Sequence, residues 1–222
     1  THWRQSVDRE VKTTRESVGI CDVTTLGKID VQGADAAAFL NKVYCNGFAK
    51  LDVGKTRYGL MLREDGIAMD DGTAARFAED HFVVTTTTAN ALSVYRHMEF
   101  VRQVLSPDMD VQLISTTESW AQYAVAGPNA RNLLRKIVDA EFDISNEAFP
   151  FMACGAITVC GGLRARLFRI SFSGELAYEI AVPTRYGDAM IRALVEAGEE
   201  FGGCAYGSEA LGVMRIEKGH AA

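Results

Sequence analysis

One order of elements occurs twice along this chain, and a repeated order narrows the folds it can reach. A short apolar strand, a glycine turn, an Asx residue at a helix start and an amphipathic helix run from Ile29 to Val43, and again from Ala124 to Ile137. Each copy is followed by a second glycine turn that opens a strand, at Gly66 and at Gly174. An apolar run and a further helix close each copy. His81–Val84 leads into a helix from about Ala89 to Met98, and Ile180–Pro183 into one from about Tyr186 to Ala197. Glycine turns before helices are common one at a time. Four features in matching order predict duplicated halves, residues 22–105 and 120–200. Helices and antiparallel hairpins mix throughout, so the fold class is α+β with two subdomains.

Both second glycines are followed, at the same offset, by a carboxylate. Glu64–Asp71 ends in Asp71, and Phe172–Glu179 ends in Glu179. Side chains alternate in facing along a strand, so equal offsets predict equivalent faces and two acids at one central site. The same offset favours Asp71 over Asp70. Each motif is weak alone, because acids near hairpins are usually solvated. Glu179, however, is bracketed by Tyr178 and Ile180, with Leu176 read on its own side. A carboxylate in apolar surroundings needs a partner. A ligand offering paired N–H donors would serve, and so would an internal arginine. Phe172 could stack on a flat ring or belong to the core. Arg215 and Glu217, two apart in Leu211–Glu217, do not face each other on a helix and read as salt-bridge formers.

Composition removes several classes. The net charge is −6, without the basic footprint that nucleic acid requires. No apolar run approaches the ~20 residues that span a bilayer. The five cysteines are scattered without Cys-x-x-Cys spacing, and the four histidines never pair at ligand spacing. Metal chemistry is therefore not expected, and thiols in a reducing cytoplasm are. No Gly-x-Gly-x-x-Gly or P-loop is present. The start, Thr1-His2-Trp3-Arg4, lacks a Met and an apolar h-region. The last residues, Arg215–Ala222, read as an element in mid-course, so the chain reads as part of a longer one.

Several blocks in order resemble the aminomethyltransferase (glycine-cleavage T-protein, GcvT) folate-binding family. They are Val18–Ile29, Gln32-Gly33, Asp70-Asp71, Ala126-Gly127-Pro128 and Ser173-Gly174-Glu175-x-x-Tyr178-Glu179. A closer resemblance is to the C-terminal part of the α subunits of heterotetrameric sarcosine oxidases. Arg57–Gly66, Phe149–Met152, Ser171–Glu175 and Met214–His220 carry it.

The resemblance implies the T-protein folate-binding fold over residues 1–222, with mainly antiparallel sheets and without the family's C-terminal barrel domain. It implies a tetrahydrofolate site in which Glu179 binds the pterin edge, Phe172 lines the pterin pocket, and Tyr58 and Arg215 are further cofactor-binding positions. The family usually has Tyr where this chain has Phe172; stacking survives that change and a hydroxyl hydrogen bond does not. Asp71 is the implied catalytic acid, near the reacting folate nitrogens.

The implied reaction captures the one-carbon unit of sarcosine, as an iminium or as formaldehyde, to give 5,10-methylenetetrahydrofolate and glycine. FAD or FMN, NAD and the other sarcosine oxidase subunits would belong to other parts of the enzyme. A stand-alone aminomethyltransferase or a dimethylglycine-oxidising relative is the alternative. A non-catalytic folate-binding regulatory module is a third, and its Lys-Gly-Cys-Tyr-type signature is absent here.

Overall fold

The structure, a computed structural model, describes residues 2–220; Thr1 and the closing Ala221-Ala222 lie outside the described residues. The chain starts with α1 (Trp3–Glu16), β1 (Gly19–Asp22), β2 (Gly27–Gln32) and α2 (Ala36–Val43). A meander follows, of β3 (Thr56–Leu62), β4 (Ala68–Ala78) and β5 (His81–Thr86), then α3 (Ala91–Phe100) and β6 (Gln112–Ser115). The remainder is β7 (Trp120–Ala126), α4 (Ala130–Leu134), β8 (Cys154–Val159), β9 (Leu163–Phe168), β10 (Ala177–Pro183), α5 (Gly187–Glu199), β11 (Cys204–Ala205) and α6 (Ser208–Glu217). Two compact units result. One is Thr25–Ser119; the other joins the N-terminal residues through Thr24 to those from Trp120 onward.

In the Thr25–Ser119 unit the sheet order is β3-β4-β5-β2-β6, and every pairing is antiparallel. One face is apolar. Ile29 and Val31 of β2 and Phe82 and Val84 of β5 pack with Phe39 and Leu40 of α2 and Val94 and Met98 of α3. The buried residues of α2, Ala36, Phe39, Leu40 and Val43, and those of α3, Val94 and Met98, recur at three- and four-residue spacings, which is the stripe that buries an amphipathic helix. The other face carries Lys28, Asp30, Thr73 and Thr85, placed there by the strand alternation.

The second unit's sheet runs β11-β1-β7-β10-β9-β8, with only the β1–β11 pair parallel. Val125, Leu167, Tyr178 and Ile180 meet Leu133 and Leu134 of α4 and Met190 and Leu194 of α5 on one face. On the other, Cys21, Ala126 and Ala177 meet Tyr206 and, from α6, Ala210 and Met214; α1 adds Val7 and Val11.

The glycine turns after β2 and β7 are fixed twice over. Gly33 and Gly127 have φ of 134° and 123°. A Cβ would also stand 2.2 Å from the Asp110 carbonyl oxygen at Gly33, and 2.4 Å from those of Thr14 and Ser17 at Gly127. Only glycine avoids both conflicts. The Asx residues that follow do not cap their helices. Asp35 Oδ2 accepts from Asp110 N at 2.9 Å, and Asn129 Nδ2 donates to Ser17 Oγ at 3.3 Å, so each ties the turn to another segment. The second of these helices, expected to run to about Ile137, ends at Leu134, and Val138 beyond it bridges Val159.

The two sheets repeat one strand order, and that order corrects the reading of the two acids. Outward from the strand before the glycine turn, β2 has β5 and β6 as neighbours, and β7 has β10 and β1; β4 and β9 come next, then β3 and β8. Asp71 stands on β4, whereas Glu179 stands on β10, the counterpart of β5. Registering Gly33 on Gly127 sets Val83 at the place of Glu179, and Arg164 at the place of Asp71. Equal offsets fail as a guide because Gly66 turns the β3–β4 hairpin, while Gly174 lies in the loop between β9 and β10.

Candidate functional site

Asp70 and Asp71 are adjacent on β4, so they leave the sheet on opposite faces. Asp70 is 6% exposed and committed to the fold. It accepts from Thr87 N at 3.2 Å, Thr87 Oγ1 at 2.6 Å and Asn90 Nδ2 at 3.2 Å, which holds the entry to α3. Removing this carboxylate should loosen that entry. In Asp70→Ala, amide exchange over Thr87–Asn90 is expected to speed up by about tenfold to a hundredfold, since bonds to a charged acceptor contribute ~1.5–3 kcal/mol each. Asp71→Ala should leave the same amides unchanged. Hydrogen-exchange mass spectrometry on the full-length chain makes the comparison.

Asp71 is half-buried and takes a hydrogen bond from the Tyr58 hydroxyl, at 2.8 Å from Oδ2. Register explains the contact: Tyr58 pairs with Thr73 and Leu60 with Asp71, so tyrosine and aspartate are diagonal neighbours on one face. Loss of water, the bond to Asp71 and the nearby acidic charges push the Tyr58 phenol up to about 12. It is therefore a fixed proton donor toward Asp71 at neutral pH. Along the same face the Thr73 and Thr85 hydroxyls meet at 2.8 Å, and Thr85 pairs with Lys28. Lys28 is 1% exposed, and its Nζ donates to the Leu26 carbonyl at 2.7 Å.

Glu179 occupies the other unit. Alternation turns it away from Tyr178 and Ile180, whose side chains enter the apolar core, with Leu176 packed beside them. Its face is shared with Ala177 and Ala181, which corrects the reading of Leu176 as a flank. Across the strands Glu179 lies in one row with Cys21, Ala124 and Phe168. Gln122, two pairs along on β7 and opposite Ala181, donates from Nε2 to Glu179 Oε2 at 2.5 Å. Arg166 stands on the same face of β9 opposite Ala181, its guanidinium stacked on Trp120 with 4.1 Å to the ring centre. Burial, with the charges of Asp22 and Glu179, pushes the Cys21 thiol up to about 11, and burial also raises the Tyr206 phenol.

Phe172 lies in the loop before β10, 41% exposed. The Arg215 guanidinium carbon is 5.9 Å from its ring centre, and the His220 ring is 6.4 Å away. Arg215 also donates to the His220 carbonyl at 3.0 Å. The loop is anchored by Arg15, which donates to the Ser173 carbonyl at 3.0 Å and to Glu175 at 2.6 Å. The same guanidinium reaches the Met214 carbonyl and Glu217, each at 2.9 Å. Glu217 thus forms an ion pair and Arg215 lies over an aromatic ring, pointing apart as their spacing on α6 requires.

Of the residues singled out in the sequence, the structure brings Tyr58 to Asp71 and Arg215 to Phe172. Gln122 and Lys28 escaped the sequence reading. A lone amide in the otherwise apolar Trp120–Ala126 is the signal that marks Gln122, since a central strand covered on both faces reads as a continuous apolar run. Among the described residues, no group of three or more His, Cys, Asp and Glu could hold a metal, and no helix is long and apolar enough to cross a membrane. Shallow concavities beside Arg135 and along α5 are lined by none of these residues.

Comparison with known proteins agrees with this architecture. The model of the GCVT N-terminal domain matches residues 1–222. The sarcosine oxidase subunit alpha of Rhizobium meliloti (strain 1021) is 59% identical over 219 residues, which is 98% of this chain and 22% of that protein. The aminomethyltransferase of Chloroherpeton thalassium is 32% identical over 212 residues, 95% of this chain and 56% of that protein. The crystal structure of the glycine cleavage system aminomethyltransferase T from Bartonella henselae superposes with a TM-score of 0.83 at 26% identity, covering 97% of this chain and 55% of that one. This chain therefore spans about a fifth of the first relative and about half of the other two. The chain belongs to the GCVT N-terminal domain family.

Proposed function

We propose that this segment binds tetrahydrofolate and, within a sarcosine oxidase α subunit, directs the carbon removed from sarcosine onto it. The observation that carries this reading is that each of two half-buried carboxylates takes a hydrogen bond from an uncharged donor. Glu179 takes one from Gln122 and Asp71 from Tyr58. The residues fit the ligand's chemistry. A carboxylate accepts the paired N–H groups of a pterin edge, and the exposed Phe172 ring offers a stacking face. The high identity to a sarcosine oxidase α subunit favours this setting over a stand-alone aminomethyltransferase.

When bound, tetrahydrofolate supplies the two amine nitrogens that accept the carbon. Glu179 would fix the pterin, with Phe172 and Arg215 beside it. Asp71 would accept the proton set free as the nitrogens are alkylated. With an iminium as donor, two N–H protons leave; one goes to the departing glycine amine and one to Asp71. With formaldehyde the oxygen leaves as water. Tyr58 would keep the Asp71 carboxylate in one orientation, which is the form of advantage that positioning gives.

The test uses the full-length chain with its partner subunits. Sarcosine is supplied with and without tetrahydrofolate, and the fate of the methyl carbon is followed. Release as free formaldehyde without folate, and as 5,10-methylenetetrahydrofolate with it, is expected. Formaldehyde release at the same rate and yield in both cases would remove the reading.

A further inference from the structure

We infer that Gln122 is a positioning residue for Glu179, holding the carboxylate in the plane that receives a ligand's paired N–H groups. This rests on the pterin reading of Glu179. Gln122 is 1% exposed and donates from Nε2 to Glu179 Oε2. Its own place is fixed from both sides of the main chain. Gln122 N donates to Thr24 Oγ1 at 3.0 Å, and Val23 N donates to the Gln122 carbonyl at 3.0 Å. The backbone that carries the amide is therefore held on both sides. A donor on Oε2 restrains rotation about the last side-chain bond of Glu179, and with it the direction of Oε1.

The other sheet supplies an independent comparison. Registering Gly33 on Gly127 sets Lys28 at the place of Gln122 and Val83 at the place of Glu179. Both buried positions carry a polar side chain; in the sheet of Gln122 it donates to the carboxylate at the place that valine holds in the other. Where that carboxylate is replaced by valine, the buried residue is a lysine that turns to the Leu26 carbonyl. An amide can hold a carboxylate without adding a charge to the site.

Two substitutions test this in the full-length chain, with 5-formyltetrahydrofolate as the titrated probe and Glu179→Ala as the reference. Gln122→Leu removes the donor and is expected to weaken binding by about tenfold, the effect of ~1.4 kcal/mol. Gln122→Glu keeps the side chain's size and remains informative if the leucine variant folds poorly. Protonated, it donates as the amide does; ionised, it repels Glu179, because two carboxylates in contact share one proton. Its affinity should stay within about threefold of wild type at pH 6 and fall about tenfold or more by pH 8.5, while wild type changes less than threefold.

The neighbouring groups do not imitate that profile. Cys21 and Tyr206 have raised pKa values and stay neutral over this range. A merely structural role for Gln122 would shift stability without a pH-dependent affinity. Wild-type affinity in both variants, with a flat Gln122→Glu profile, overturns the inference if Glu179→Ala still loses binding. Unchanged binding in Glu179→Ala overturns the pterin reading itself.

Discussion

Glu179→Ala, made in the full-length chain, should lower tetrahydrofolate affinity by about a hundredfold. The estimate follows from the bonds removed. A carboxylate facing two N–H donors makes two charge-assisted hydrogen bonds, each contributing ~1.5–3 kcal/mol, and partial exposure of the site argues for the lower end. About 3 kcal/mol in total is a factor of about a hundred in Kd. Glu179→Gln keeps one acceptor and replaces the other with a donor that faces a donor, so it should also bind weakly. Amine oxidation measured with an artificial electron acceptor should be unaffected, because no flavin chemistry is assigned to these residues. Titration calorimetry gives the affinity. Wild-type affinity in Glu179→Ala would mean that the pterin edge is held elsewhere.

The two acids show how far sequence reasoning reaches. The strand, glycine turn and helix at Gly33 and Gly127 are legible because two local constraints meet there: φ near 130° and a carbonyl where Cβ would stand. Such constraints leave their mark in the residue type itself. Sheet neighbours leave no such mark. That β1 pairs with β7, about a hundred residues later, is settled by packing and not by either strand's own residues. Counting from Gly66 and Gly174 therefore gave equal offsets without equal places, since one glycine closes a hairpin and the other shapes a long loop.

Alternation is a firmer guide within one strand. It puts Asp70 and Asp71 on opposite faces, and the structure shows what the separation achieves: one acid secures the start of α3, and its neighbour is left on the opposite face with Tyr58. Lys28 and Gln122 escaped notice, because a polar residue between apolar ones is ordinarily solvated. Both positions are buried, because each lies in an inner strand of its sheet. The buried polar residue in an inner strand is the more informative signal, since its burial is costly without a partner.

Asp71→Ala should separate binding from turnover. Asp71 is assigned to the proton released as the carbon joins the folate nitrogens, and removing a positioned proton acceptor typically costs 10²- to 10⁴-fold. Formation of 5,10-methylenetetrahydrofolate is therefore expected to fall by about a thousandfold, while tetrahydrofolate affinity changes by no more than about threefold, the pterin edge being held at Glu179. Tyr58→Phe supplies the graded control. It removes the 2.8 Å hydrogen bond but keeps the ring, so Asp71 keeps its carboxyl group and loses its fixed orientation. A fall of about tenfold in rate is expected there, with little change in affinity. The Tyr58 proton itself should not limit the rate below about pH 11, because its pKa is raised to about 12 and the donor form persists up to that value. A rate that declined through pH 9–10 in wild type and not in Tyr58→Phe would contradict this ordering. Wild-type turnover in Asp71→Ala would assign the proton to another group and leave Asp71 as an acceptor for Tyr58 alone.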